Sequence, residues 1–390
     1  MCVGTALFAW LELYRLIPDT IRISNPSMVS VGSSLPVSYN WKDEEEVFAE
    51  NQSGTYTLTC RFLGIIPVKN VTVHLVEEQQ VIPAGIAAGI LLETKGVYVA
   101  DTGEIEDQSG KMESPAEHIV QPGDYIQAVN GTEIHTKEEL MDLVSKCGGR
   151  DVILSIERDG ENMDCRIEPV QTGDQDYKIG LWVKDDLAGV GTITFIDDQG
   201  RFGALGHGIS SGETQSLMQL SRGSLYQSDI VAINKGKKGT PGELVGMIFY
   251  TSDYYFGEIE KNTQAGIFGK LENVSDELAA QEAVPVGYKQ EIRTGKAQIR
   301  CNIDGEIKSY DIEIEDINVN SKDKNKSMLI HVTDQGLLDQ TGGIVQGMSG
   351  SPIIQNGKLV GAVTHVLVND PTRGYGIFAE TMLEEAENME

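Results

Sequence analysis

The stretch Gly343-Ile344-Val345-Gln346-Gly347-Met348-Ser349-Gly350-Ser351-Pro352 carries the strongest chemical signal in the chain. It is continued by Ile353-Ile354-Gln355-Asn356-Gly357-Lys358-Leu359-Val360-Gly361-Ala362-Val363-Thr364-His365. A serine in a Gly-x-Ser-Gly turn presents its hydroxyl outward while nearby backbone N–H groups converge on one point, as an acyl-transfer nucleophile and its oxyanion hole require. Ser349 holds that place, with the N–H groups of Gly347 and Ser349 as the expected hole and Ser351 as the local rival. Asn356-Gly357 is a type I′ turn signal, so the residues after the serine form a β-hairpin.

A serine nucleophile needs a base, and the chain has six histidines. His74, His118 and His135 fall in strand or loop patterns, and His331 and His365 sit in strand-like runs. His207 differs: Gly203-Ala204-Leu205-Gly206-His207-Gly208 crowds small residues around one imidazole and lets other segments approach it. The serine turn, the hairpin and Leu359-Val360-Gly361-Ala362-Val363-Thr364 together resemble the nucleophile segment of chymotrypsin-fold serine peptidases. Residues 179–390, Gly-rich and β-like, are therefore expected to form a chymotrypsin-like double β-barrel. A triad acid is then expected between His207 and Ser349. Asp334 and Asp339 are nearest, Asp253 and Asp304 are alternatives, and the residues themselves do not choose.

Upstream, Val120-Gln121-Pro122-Gly123-Asp124-Tyr125-Ile126-Gln127-Ala128-Val129-Asn130-Gly131 precedes an amphipathic helix with Leu140, Leu143 and Val144 on one face. Thr136 and Glu139 form a capping-box pair at its start. The strand Asp151–Arg158 and an Asp159-Gly160 turn follow. This order of elements over residues 80–170 resembles a PDZ domain. The resemblance implies a groove for an extended peptide, expected at Gly85, Gly89, Ile90 and Leu92 against Leu140 and Val144. Gln171 to Lys178 reads as a short polar linker.

The N-terminal part divides in two. Residues 1–18 hold a short apolar run, Val3 to Leu11, well under the ~20 residues that span a bilayer; it is expected to be the remnant of a membrane anchor or an exposed amphipathic helix. Residues 19–78 alternate with period two, at Thr20–Ile23, Met28–Val31, Gly54–Phe62 and Lys69–Leu75, and are expected to form a small antiparallel β unit around a solvated acidic loop, Asp43–Glu46. The whole chain is thus expected to be mainly β.

Composition excludes other classes. The chain has 390 residues, with 31 Lys plus Arg against 59 Asp plus Glu and a formal net charge of −28. Such a surface repels phosphate backbones, so no nucleic-acid partner is expected. The five cysteines stand singly, without a C-x-x-C pair, and read as small buried hydrophobes rather than a disulfide framework. No metal site or nucleotide loop is visible, and no cofactor is expected.

The apolar start, the PDZ-like unit, Gly203-Ala204-Leu205-Gly206-His207, and Thr341 through Lys358, in that order, resemble the stage IV sporulation protein B family. The resemblance spans nearly the whole chain. It implies a serine endopeptidase of endospore-forming bacteria, secreted from the forespore into the space between its two membranes and anchored there by its N-terminus. Such an enzyme cleaves itself and a membrane-bound regulator, and so triggers processing of a late sigma factor. It implies a triad of His207, Asp334 and Ser349 with Thr364 in support, and a PDZ ligand that includes the enzyme's own chain. The competing reading is a non-catalytic PDZ adaptor with a degenerate peptidase domain.

Overall fold

Alternation of apolar and polar residues gives strands rather than helices. The computed structural model, which describes residues 10–11, 14–15, 17–24, 37–42 and 54–389, is accordingly built mainly of β-sheet. Residues 1–9, the strand expected at Met28–Val31 and the acidic loop Asp43–Glu46 lie outside the described residues.

The N-terminal unit is a four-stranded sheet of β1 (Thr20–Ile23), β2 (Val37–Trp41), β3 (Gly54–Phe62) and β4 (Ile66–Leu75), in the order β1-β4-β3-β2. Its first strand runs parallel to β4, so the sheet is mixed rather than wholly antiparallel. The inward positions Ile21, Ile23, Leu58, Cys60, Val71 and Val73 make its core.

After β5 (Gln80–Pro83) comes β6 (Ala87–Thr102), a strand of 16 residues. It has a partner of equal length in β10 (Leu181–Ile196). Between them lie β7 (Tyr125–Val129), helix α1 (Lys137–Ser145), β8 (Val152–Arg158) and β9 (Glu161–Ile167). With Val97–Thr102 and Leu181–Val183 these make the PDZ unit. Thr136 and Glu139 form the capping box on α1, which contributes about 1 kcal/mol. The Pro122-Gly123-Asp124 turn is pinned by a two-pronged pair in which Arg158 Nε and Nη2 donate to the fully buried Asp124 carboxylate at 2.7 and 2.6 Å.

The other halves of the two long strands belong to the first peptidase barrel. Here β6 and β10 join β11 (Arg201–Ala204), β12 (Leu220–Asn234), β14 (Tyr255–Thr263) and β15 (Gly266–Leu271), while β13 (Glu243–Ile248) pairs with β12 at the rim. The ring closes in the order β6-β12-β14-β15-β11-β10. The PDZ unit is therefore an insertion between the first two strands of a barrel, and the change from barrel to PDZ pairing, expected near residue 80, lies within β6 between Thr94 and Val97.

The second barrel comprises β16 (Gly295–Asn302), β17 (Ile307–Ile317), β18 (Met328–Val332), β19 (Pro352–Gln355), β20 (Lys358–Leu367) and β21 (Asp370–Phe378). It closes as β16-β17-β18-β21-β20-β19, with α2 (Gln335–Thr341) between β18 and β19 and α3 (Ala379–Glu387) at the end. Asn356 and Gly357 have φ of 52° and 77°, the I′ turn that the hairpin requires. The architecture is the expected one: mainly β, a PDZ unit and two six-stranded barrels. Three of the described cysteines, Cys60, Cys147 and Cys301, are buried, Cys165 is half-buried, and all four are free.

Candidate active site

The nucleophile turn is held between the two barrels by its carbonyl groups. The Gln346 carbonyl accepts the Leu244 N–H at 2.8 Å. The Thr192 hydroxyl donates to Gly347 O at 3.0 Å, and the Thr192 N–H donates to Ser349 O at 3.0 Å. The Thr194 hydroxyl donates to Gly350 O at 2.7 Å. Each of these carbonyls is thereby bonded to the first barrel, and the N–H groups of Gly347 and Ser349 make no hydrogen bond among the described residues. An oxyanion hole is built from backbone N–H groups left without an internal partner. Gly350, at φ 94°, lies against Thr192 O and Leu205 N, where a Cβ would overlap both.

His207 is delivered from the other barrel. Leu205 and Gly206 both adopt left-handed φ, 69° each, and throw the chain out of β11 toward the cleft. A non-glycine residue pays for that conformation, which makes Leu205 a strained neighbour of the imidazole. The loop beyond is tied down by Asn262, whose Oδ1 accepts from Ile209 N and whose Nδ2 donates to Ile209 O and Met218 O. His207 Nδ1 lies 3.0 Å from Gly208 O. A carbonyl only accepts, so Nδ1 carries the proton and Nε2 is left as the basic nitrogen. Desolvation holds the pKa of His207 below the usual value, with the Gly208 carbonyl working in the opposite sense.

His365 packs on His207 with ring centroids 4.9 Å apart. Its own pKa is held down to about 4, first by desolvation and then by the charges of His207 and Lys326, with Asp323 opposing. The Ser349 hydroxyl donates to Thr364 O at 2.8 Å, while the Thr364 hydroxyl donates to Asn325 O at 2.6 Å. Ser349, His207, Thr364, His365 and Gly347 line one cleft of about 490 Å³, whose far wall is Leu187–Val190 of β10.

Asp334 does not join them. It caps α2, Oδ1 accepting from Leu337 N at 3.0 Å and Oδ2 from Asp311 N at 3.4 Å, and it makes no contact with His207. The reason is local: a carboxylate one residue before a helix is claimed by the free N–H groups of its first turn. Asp339 accepts from Gln335 Nε2 and Asp304 from Lys308 Nζ, and Asp253 is exposed in a single helical turn. Among the described residues no carboxylate bonds to His207. Thr364 likewise supports a backbone carbonyl rather than an acid. Ser351, the rival nucleophile, is fully buried in the second barrel against Cys301, whose thiol is pushed up to about 12 by burial.

The expected peptide groove also moves. Gly89, Ile90 and Leu92 pair on both sides, with Val190, Gly189 and Leu187 of β10 and with Tyr226, Leu225 and Gly223 of β12. A strand inside a closed barrel offers no free edge for a peptide to join. Gly85 is buried against Arg300 of the second barrel. Leu140 and Val144 do line a groove, but its other wall is Ile179-Gly180-Leu181-Trp182-Val183. There Leu181–Val183 pairs with β6 on one side only among the described residues, and the second edge faces α1. The linker reading of 171–178 stopped just short of it.

Sequence reasoning missed Thr192, His365 and the 179–183 edge. His365 had a signal in its place directly after Thr364, on the return strand of the nucleophile hairpin. Thr192 had none, because its role depends on the pairing of β10. No cluster of three or more His, Cys, Asp or Glu that could hold a metal stands among the described residues.

A PDZ domain profile matches residues 109–158. No curated protein matches the chain. Among solved structures, the PDZ domain of the SdrC-like protein from Listeria monocytogenes is 20% identical, covering 23% of this chain and 90% of that one, with a TM-score of 0.19. The active form of the Rv3671c protease from M. tuberculosis is 14% identical over 52% of this chain and 74% of its own, with a TM-score of 0.32. The HtrA-type protease AlgW with decapeptide is 10% identical over 79% and 65%, with a TM-score of 0.33. The profile of the SpoIVB peptidase S55 matches residues 175–383, more than half of the sequence, which takes in the second barrel and all of the first except β6. The chain therefore belongs to the SpoIVB peptidase S55 family and is a PDZ-containing serine peptidase.

Proposed function

We propose that this protein is a regulatory serine endopeptidase in which Ser349 is the nucleophile and His207 the base. One observation carries the reading: the carbonyls of Gln346, Gly347, Ser349 and Gly350 are bonded to the first barrel, while the Gly347 and Ser349 N–H groups make no hydrogen bond among the described residues and are free to hold an oxyanion. In the resting site the Ser349 proton is held by Thr364 O. A substrate amide N–H that takes over this carbonyl frees the hydroxyl to turn toward His207 Nε2. The serine then attacks the scissile carbonyl, His207 receives its proton, and the oxyanion is held by the two N–H groups. His207 returns that proton to the leaving amine.

The Gly208 carbonyl fixes the tautomer as a triad acid would, but it brings no full charge to the imidazolium. Loss of that charge in a complete triad costs about 10⁴ in rate. The enzyme is therefore slow, which suits a narrow set of targets better than general turnover. The family resemblance supports those targets: the enzyme's own N-terminal region and a membrane-bound regulator of late sigma factor processing, cleaved in the space between the two forespore membranes. The PDZ groove at 179–183 recruits an extended peptide from a substrate or from the chain itself. The test is incubation of the purified protein with mass spectrometry of its fragments, beside labelling with a fluorophosphonate. Ser349→Ala should abolish both signals and Ser351→Ala should keep labelling. A wild-type chain that neither labels nor cleaves would favour the adaptor reading, in which Ser349 stays bonded to Thr364 O and is never activated.

A further inference from the structure

Among the described residues, the cleft that holds Ser349 and His207 is lined by no Asp, Glu, Lys or Arg, in a chain with 59 acidic residues. Ile344, Val345, Val366, Val368 and Pro241 give it an aliphatic lining suited to an aliphatic side chain. The nearest charges beside Pro241 and Val368 are cations. Residues 230–242, which join β12 to β13, carry Lys235, Lys237 and Lys238 and no carboxylate.

This loop is built by its backbone. Lys237 N–H donates to Thr240 O at 2.9 Å, and Thr240 N–H donates back to Lys237 O at 2.8 Å. Gly239 N–H donates to Val368 O and Gly236 N–H to Thr341 O, each at 2.8 Å, which fixes the tip against the second barrel. A Cβ on Gly242 would overlap Asn234 O and Gly236 N, so the chain doubles back closely there. Lys235 Nζ donates to Asp339 O. Lys237 and Lys238 are exposed and make no ion pair among the described residues. The carboxylate on the adjoining hairpin, Asp370, is engaged by Thr372 and Arg373. Two neighbouring ammonium groups repel one another and give the turn no bond. Beside an uncharged, apolar cleft they set up a local field that attracts anions.

The course of a bound peptide connects this field to the reaction. β19 pairs with β20 only as far as Ala362, and beyond it Val366 and Leu367 pair with β21 alone among the described residues. Thr364–Leu367 therefore has a free edge on which a peptide can add as a strand. A peptide that takes Thr364 O at the scissile residue and follows this edge comes level with Val368 four residues on, about 13 Å away. There it meets the lysine loop. We propose that Lys237 and Lys238 are specificity-determining residues that select peptides with Asp or Glu about three to five residues to one side of the scissile bond. The proposal rests on the peptidase reading given above and adds its substrate class. An exposed ion pair contributes about two- to fivefold in affinity, so the two lysines together give about tenfold, and salt weakens the effect.

The experiment is digestion of a proteome-derived peptide mixture by the full chain at low and high salt. Mass spectrometry reads the residue frequencies around each cut, and fluorophosphonate labelling runs in parallel. Wild-type cuts should be enriched in Asp and Glu on one side of the bond, less so at high salt. Lys237→Gln/Lys238→Gln should lose the enrichment and lower kcat/KM on an acidic peptide about tenfold through KM, with kcat unchanged. Lys237→Glu/Lys238→Glu should shift the preference toward Lys and Arg, and all three proteins should label equally. Wild-type cleavage without acidic enrichment overturns the proposal, as does enrichment that survives in the Gln variant. A Gln variant with lower labelling and lower Tm assigns the lysines to holding the loop instead. Wild-type protein that labels but cuts no acidic peptide refutes this substrate class alone. Protein that neither labels nor cuts refutes the peptidase reading beneath it.

Discussion

Replacing Asp334 tests the assignment of the acid most sharply, because two substitutions separate its two roles. In the structure its carboxylate accepts the Leu337 N–H at 3.0 Å and caps α2. Asparagine caps a helix as well as aspartate does, so Asp334→Asn should leave stability within a few tenths of a kcal/mol. Alanine removes the cap and exposes one of the four free N–H groups of the first turn, which costs about 1 kcal/mol. If Asp334 instead served His207, Asp334→Asn would lose the charge on the imidazolium, and the rate would fall by about 10⁴. The two readings therefore differ by several orders of magnitude in kcat and hardly at all in Tm. Measuring fragment release by mass spectrometry alongside thermal unfolding distinguishes them. The expected result is an Asp334→Asn enzyme within a few-fold of wild type, and an Asp334→Ala enzyme that melts earlier but still cuts when folded. A silent Asp334→Asn enzyme of unchanged Tm would refute the assignment and return the acid to this residue.

The remaining predictions follow from the same geometry. Thr192→Val removes the hydroxyl that holds Gly347 O at 3.0 Å and should lower kcat by about 10- to 100-fold, less than the loss of an oxyanion donor itself, with Thr192→Ser restoring it; a Tm loss with normal kcat would mean the clamp is only structural. His207, the proposed base, has its pKa held below the usual value by desolvation, so the acid limb of kcat/KM should fall below the ~6.5 of a free imidazole, and a limb above 7 would contradict it. His365 is neutral in the fold down to about 4, while the unfolded chain protonates near 6.5, so the unfolded state binds more protons between these values; stability should fall as pH drops through that window and His365→Gln should flatten the dependence. In the PDZ groove, Met141→Asp, at a 60% exposed lining position, should weaken peptide binding measured by fluorescence anisotropy while Ile90→Asp should unfold the first barrel; equal peptide binding by Met141→Asp would place the groove elsewhere.

What could be read along the chain was whatever a few neighbouring residues specify. The Gly347-Met348-Ser349-Gly350 turn, the Asn356-Gly357 hairpin, the Thr136–Glu139 capping box and the Pro122-Gly123-Asp124 turn are all short-range, since backbone φ, caps and turn bonds are settled within a few residues. With the alternation of apolar and polar residues and the family resemblances these motifs carry, they led to the mainly β class, the PDZ unit and the peptidase barrels, and they singled out Ser349 as the candidate nucleophile. The tertiary structure alone decided which strand edges remain open and which side chains meet. Residues 87–92 look like a groove strand by alternation, and only the pairing of β6 with both β10 and β12 shows their edges to be closed. Alternation reports which face is buried and is silent about the edges, because edge pairing here joins residues 95 or more positions apart. The same holds for His207. Its environment is made by His365, by the Gly208 carbonyl and by Thr192 acting on the opposing turn. Asp334 lies close to Ser349 along the chain and stays out of the site because a helix terminus beside it takes its charge.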